Sequence, residues 1–299
     1  MVRAALTNRA ARGAALITAM LVAALAAAVV ATLAATQFQW LRTVELRRDE
    51  VQAQAIVLAG LAWARDAVRE GPGAEAVDHL GEPWALPLPP TPLDNGSVEG
   101  SIVDAQSRLN LNNLADDGAL ARATRERLAP LFERAGLGTA AVDAIAAATG
   151  IGVGGGTRAT KESRGTTFLR AAEAAAVPGI DGARFAAVAP LVVALPSATR
   201  VNVNTAPPEV LALLGSGLDG EALALLVAER TRKPFATPGD FRSRLPQGAS
   251  VSDETLLGVR SDYFLVTVRA RQGEALAQGR ALVRRRPNQA PLVVWQTIE

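Results

Sequence analysis

Gly13-Ala14-Ala15-Leu16-Ile17-Thr18-Ala19-Met20-Leu21-Val22-Ala23-Ala24-Leu25-Ala26-Ala27-Ala28-Val29-Val30-Ala31-Thr32-Leu33-Ala34-Ala35 opens an uncharged run that lasts until Arg42. At ~1.5 Å per residue, a helix over 14–41 is long enough to cross the roughly 30 Å hydrocarbon core of a bilayer. The stretch therefore predicts a membrane span. Arg3, Arg9 and Arg12 precede it without an acid, whereas Arg42, Glu45, Arg47, Arg48, Asp49 and Glu50 follow as a mixture of signs. That asymmetry keeps the N-terminus cytoplasmic and puts the bulk of the chain across the membrane. An ordinary secretory signal shares the basic start and the apolar run, but its apolar region is only about 7–15 residues. Here the run is longer, and the helical pattern continues through Gln52 to Ala64 with no small-residue cleavage box ahead of a polar start.

A basic leader, then Arg12-Gly13, then an apolar helix that begins directly after the glycine resembles a type IV prepilin signal. The finer match, Arg12-Gly13-Ala14-Ala15-Leu16-Ile17-Thr18, resembles the K-type minor pseudopilins of type II secretion systems, the general secretion pathway protein K family. The resemblance implies cleavage between Gly13 and Ala14 by a prepilin peptidase on the cytoplasmic side, methylation of the new N-terminus and retention of the membrane helix. It also makes Thr18 the fifth mature residue, where fibre-forming pilins usually carry Glu.

Loss of residues 1–13 would leave 286 residues, enough for a membrane helix and one sizeable or two modest soluble domains. The leader holds Arg3, Arg9 and Arg12 of the 31 basic residues and none of the 29 acids. What remains is slightly acidic, so the sequence pI of about 9.6 is no argument for a nucleic-acid partner. There is no cysteine, so stability rests on packing and assembly.

From 42 to about 70 the helix is expected to leave the membrane as an amphipathic stem. Val51, Ala55, Leu58, Ala62 and Trp63 recur at three- and four-residue steps and suggest its buried face, with Arg47, Arg48, Asp49, Gln52 and Arg65 over much of the rest. Gly71-Pro72-Gly73 is a credible stop. Residues 74–96 hold Gly81, Pro83, Pro87, Pro89, Pro90, Pro92 and Asn95-Gly96 around Trp84, Leu86 and Leu88, which predicts an extended, irregular passage closed by a turn.

Two motifs extend the family resemblance. Asp104-Ala105-Gln106-Ser107-Arg108-Leu109-Asn110-Leu111-Asn112-Asn113-Leu114 follows a strand candidate with a break around Asp104 to Gln106. Val201-Asn202-Val203-Asn204-Thr205-Ala206-Pro207 leads into a helix, with Thr205 a possible N-cap and Asn202 and Asn204 on one side of an extended segment. Asparagine amides bond readily to nearby backbone, so both motifs read as structural sites without catalysis. Between them, 119–151 reads as helical with breaks at Gly136 and Gly138 and 167–190 as compact helices; after the second, Phe235 to Leu245 reads as a small turn and helix. The family's Asp-Trp-x-Asp pattern is absent: Val142-Asp143-Ala144-Ile145 stands there. After Gly248, segments at 263–270, 277–284 and 292–295 read as antiparallel strands, the first pair joined at Gly273.

Gly150 to Gly156 looks superficially like a phosphate loop, but no GK[ST] closes it and Lys161 is followed by Glu162. Val177-Pro178-Gly179-Ile180-Asp181 is similar to the corner of a helix-hairpin-helix module, which supports a rival reading as a membrane-anchored DNA-binding or uptake protein. Asp181 and Glu173 oppose phosphate there. A general type IV pilus assembly adaptor is a further alternative. The sole histidine, His79, lies in the proline-rich passage, and neither a GxSxG elbow nor a metal-spaced cluster occurs, so no enzyme chemistry is expected.

The expected fold is α+β: leader 1–13, membrane half 14–41, stem 42–70, first part of a pilin-like antiparallel sheet 71–111, inserted mainly helical domain 112–248 and terminal strands 249–299. The resemblance implies a subunit that initiates and caps the short secretion pseudopilus from the inner membrane. Its implied partners are the I-type and J-type minor pseudopilins, the major pseudopilin and the inner-membrane assembly platform, with no nucleic acid. No cofactor is required. Calcium is plausible by resemblance, with Asp116, Asp117, Asp219, Asp253, Glu254 and Asp262 as oxygen donors, although none has EF-hand spacing.

Overall fold

The computed structural model describes residues 3–69, 77–149, 167–251, 253–287 and 289–299, with side chains from Ala14 onward. Helix α1 (Arg3–Arg69) is unbroken, as expected of an Ala- and Leu-rich stretch without proline. Within it, Ala14–Arg69 is the one helix among the described residues long and apolar enough to cross a membrane; its most apolar window has a mean hydropathy of 2.5 and is covered by nothing else in the chain. Helix and sheet meet only in the second half of α1.

There the buried face differs from the one predicted. Ala53, Val57, Leu61, Ala64 and Val68 are buried, whereas Val51, Leu58 and Trp63 are 66%, 47% and 61% exposed, and Ala55 and Ala62 are exposed too. The reason is close approach. A Cβ on Gly60 would lie 2.7 Å from Val268 Cγ1, and one on Gly279 would lie 2.3 Å from Val57 Cγ1. The sheet packs close on the face that carries Gly60, and Val51, Leu58 and Trp63, one or two positions from the buried residues around the helix, stay outside.

After a short 3₁₀ turn at Pro83–Ala85, strands β1 (Leu88–Leu93) and β2 (Gly96–Asp104) form a hairpin across the expected Asn95-Gly96 turn. β1 is an edge strand, which is where a sheet tolerates Pro89, Pro90 and Pro92. The chain then leaves the sheet. The expected break is a 3₁₀ turn at Ala105–Ser107, and the two residues of β3 (Leu109–Asn110) pair in parallel with β4 (Val192–Val193). The excursion carries α2 (Ala119–Arg134), α3 (Ala140–Ala148), α4 (Gly182–Val188), α5 (Pro208–Leu214), α6 (Gly220–Arg232) and α7 (Pro238–Ser243). β5 (Val201–Asn202) pairs in parallel with β6 (Leu257–Gly258) near its exit. The chain re-enters the sheet as β7 (Tyr263–Gln272), β8 (Ala275–Arg286) and β9 (Gln289–Ile298).

The sheet order is β1-β2-β7-β8-β9, all antiparallel. β2 and β7 are neighbours, so everything from 105 to 262 is an insertion between two adjacent strands. The helical core inside it runs from Leu109 and Leu111 to Val251, Leu256 and Leu257, with Phe132 edge-on to Phe185 and Phe235 edge-on to Phe241. One face of the sheet, Ile102, Phe264, Val266, Val268, Ala277, Ala281 and Val283, packs on the stem with Trp84 edge-on to Phe264 at 5.0 Å. The opposite face brings Tyr263 and Leu282 against Ala105, Val193 and Leu195.

Candidate functional site

Where sheet and insertion join, the chain buries a seam of polar side chains. Asp104 ends β2 at 1% exposure. Its Oδ1 accepts the Gln106 N–H at 2.8 Å, which starts the 3₁₀ turn; its Oδ2 accepts from Asn202 Nδ2 at 3.0 Å, Thr205 Oγ1 at 2.5 Å and Ser261 Oγ at 2.6 Å. One carboxylate thus ties the exit from the sheet to the second motif and to the return strand. Burial, partly offset by the hydrogen bonds from Ser261, Thr205 and Gln106, raises its pKa from 3.8 to about 6. A second buried carboxylate, Asp78, accepts the Ser261 N–H at 2.7 Å and pairs with Arg285, whose Nε donates to the Val68 carbonyl at the end of the stem.

The asparagines extend the seam. Asn202 Nδ2 also reaches the Asp78 carbonyl at 3.1 Å, and its Oδ1 accepts the Asn204 N–H at 3.0 Å. Asn204 pairs both amide atoms with the Phe235 backbone, at 3.0 and 2.8 Å, and so fixes the loop ahead of α7. In the first motif, Asn112 pairs in both directions with the Phe168 backbone and donates to the Leu195 carbonyl. Asn113 pairs in both directions with the Thr199 backbone and donates to Thr124 Oγ1. Asn110 accepts the Asn112 and Leu195 N–H groups and donates toward the Ser197 carbonyl, Thr199 Oγ1 and Asn113 Oδ1. With both amide atoms of each engaged in a buried setting, these residues set chain geometry.

Three predicted residues sit differently. Thr205 does not cap a helix: Pro207 occupies the N-cap of α5, because the Thr205 hydroxyl is committed to Asp104 and to the Asn202 carbonyl. Ala206 contributes its carbonyl to buried Arg230 Nη1 at 2.6 Å. Arg108 leaves the seam and lines a cleft on the far face of the sheet. Gln106 joins the seam, its Oε1 taking the Asp262 N–H at 2.7 Å. Ser261 belongs to a Ser261-Asp262-Tyr263-Phe264 strand onset that also resembles the family, whereas Asp78, Arg230 and Arg285 complete the seam without a motif that singles out their roles.

The remaining sites are separate. Thr18 Oγ1 donates to the Ala14 and Ala15 carbonyls at 3.1 and 2.9 Å within its own helix. The Arg12 side chain, the Gly71-Pro72-Gly73 stop and the glycine run 150–156 lie outside the described residues. At the Val177 to Asp181 corner, Asp181 itself accepts the Ala183 and Arg184 N–H groups that a phosphate would need, at 2.9 and 3.2 Å. Asp116 turns on the Asp117 N–H, Asp219 stands at the N-cap position of α6 without a side-chain capping bond, Asp253 accepts the Thr255 N–H, Glu254 stands beside Arg242, and the Asp262 backbone bonds Gln106 and Arg285. Among the described residues, no three His, Asp or Glu side chains come together as a metal-binding group.

The family described as type II secretion system (T2SS), protein K matches residues 201–260, the span that supplies Asn202, Asn204 and Thr205 to the seam. A curated type II secretion system protein K from Pseudomonas aeruginosa is 28% identical over 208 residues, 64% of this chain and 62% of that protein. Over these residues the chain is similar to the protein K family. The alignment spans under two thirds of the Pseudomonas relative's length. The fold agrees: a chain in the crystal structure of the GspK-GspI-GspJ complex from enterotoxigenic Escherichia coli superposes with a TM-score of 0.69 at 23% identity, over 86% of this chain and 99% of that one. An N-terminal apolar helix, a pilin-like antiparallel sheet and a helical insertion are therefore the architecture of this chain, as the sequence leads one to expect.

Proposed function

We propose that this chain is a noncatalytic minor pseudopilin that initiates and caps a type II secretion pseudopilus. It would be anchored by 14–41 in the inner membrane, N-terminus cytoplasmic and soluble body periplasmic. The observation that carries the reading is the seam. Asp104, Asn202 and Ser261 lock a helical insertion onto one end of the sheet while the stem runs on from that sheet as a membrane-length helix. A rigid body fused to an anchor suits an assembly role, and the carboxylate of Asp104 and the amides of Asn202 and Asn204 are engaged in holding the chain together. The partners in the homologous complex, GspI and GspJ, point to I-type and J-type minor pseudopilins here.

Co-expression of the full chain with both partners, followed by extraction and light scattering, tests this. A complex with the mass of one copy of each is expected. A chain that stays alone at concentrations well above roughly micromolar would sink the proposed assembly.

A further inference from the structure

On the sheet face turned away from the stem, a cleft of about 440 Å³ opens between β7, β8 and β9 and the 3₁₀ segments on either side of α4. That volume is within the range of roughly 300–1,000 Å³ typical of ligand sites. Leu265, Leu282 and Trp295 give it an apolar floor, and three cations, Arg108, Arg170 and Arg280, stand in its wall with no carboxylate among the lining residues. Arg108 and Arg280 have no ion-pair or hydrogen-bond partner among the described residues, and Arg170 stacks at 4.9 Å from the Trp295 ring centre. The Trp295 Nε1–H is buried without an acceptor. Burial without a counter-charge pulls the Arg108 guanidinium below its ordinary pKa. Unmatched donors over an apolar floor leave an acceptor-rich, anionic occupant to be supplied from outside.

We propose that this cleft binds a short acidic peptide segment of another protein, its carboxylates meeting Arg108 and Arg280 and an apolar side chain lying on Trp295. A bilayer lipid is poorly placed to serve. Arg42 meets Glu274 where the helix leaves the span, and Arg280 to Leu282 lie six to eight residues further along β8, roughly 20 Å away at ~3.3 Å per residue. The proposal stands independently of the pseudopilin reading.

The test uses the full chain in neutral-lipid nanodiscs and fluorescence anisotropy of a labelled pentapeptide, Leu-Glu-Phe-Asp-Leu, blocked at both ends. Saturable binding with Kd on the order of 100 µM is expected. Its amide counterpart Leu-Gln-Phe-Asn-Leu should bind at least about tenfold more weakly, since charge-assisted forks to arginine are lost. The double variant Arg108→Gln, Arg280→Gln should lose at least about tenfold with its thermal midpoint unchanged. Should that variant fold poorly, Arg280→Gln alone, at an exposed position, gives the same reading. Equal affinity for the two peptides, unaltered affinity in the variants, or no saturation would overturn the proposal. So would displacement by laurate at equal concentration, which would assign the cleft to an amphiphile.

Discussion

At the scale of single residues, Asp104 has the strongest consequence. Its folded-state pKa of about 6 lies above the unfolded 3.8, so the protonated form favours folding. The contribution is fully present below the unfolded value and is lost as pH rises through about 6; its full size is on the order of 3 kcal/mol. Asp104→Asn should flatten the dependence of stability on pH between 4 and 7. It should also cost about 1–3 kcal/mol at the acid end, where its new amide faces the Asn202 amide, donor against donor. Urea titrations across that range check both; an unchanged pH profile would mean that Asp104 does not titrate there. Asn204→Ala removes the two-way clamp on Phe235, and with a buried N–H and carbonyl both left unpaired it should cost about 2–4 kcal/mol. The asparagines were legible in advance because alternating Leu and Asn has a local physical meaning. Their partners were not: Asp78 and Arg285 lie 207 residues apart in sequence, and no local pattern announces a pair made by tertiary folding.

At the scale of elements, the stem shows the limit of periodicity. Two faces of α1 carry apolar residues at helical spacing, and counting cannot choose between them. The choice is made by the partner surface, through Gly60 against Val268 and Gly279 against Val57. Gly279→Ala forces a methyl onto a β-branched side chain with one strongly preferred helical rotamer, so a loss of about 1–3 kcal/mol is expected, with partial recovery in Gly279→Ala combined with Val57→Ala. Thermal melts of the two variants decide this; no recovery would place the strain elsewhere. The exposed face gives the opposite expectation. Leu58→Gln should leave folding stability within about 0.5 kcal/mol and weaken association with the proposed partner subunits, because Leu58 is 47% exposed. The strands were easier to read than the helix face, since alternation on β7 and β8 is set by one stem on one side. The prolines of β1 obscured a strand because only its edge position makes them tolerable.

At the scale of the whole molecule, the unbroken α1 carries both the proposed processing site and the argument for position in a filament. Intact mass of the membrane-extracted chain should correspond to loss of residues 1–13, with or without a methyl group; a new N-terminus between Gln37 and Arg47 would instead mean ordinary signal cleavage. From Ala14, the fifth residue is Thr18, and its hydroxyl is satisfied by the Ala14 and Ala15 carbonyls of its own helix. A carboxylate at that depth in an apolar bundle is costly unless paired, and the resemblance to fibre-forming pilins assigns its partner as the charged N-terminus of the subunit already in place. Thr18 supplies no such charge. On the proposed reading, the chain would gain nothing from joining beneath an existing subunit and would be suited to being first. The excursion from 105 to 262, locked to the sheet by Asp104, would meanwhile obstruct a subunit placed above it. Epitope labelling of purified filaments should find this chain at one end only, and Thr18→Glu should allow occasional internal incorporation. Uniform decoration of wild-type filaments along their length would exclude a position confined to the tip.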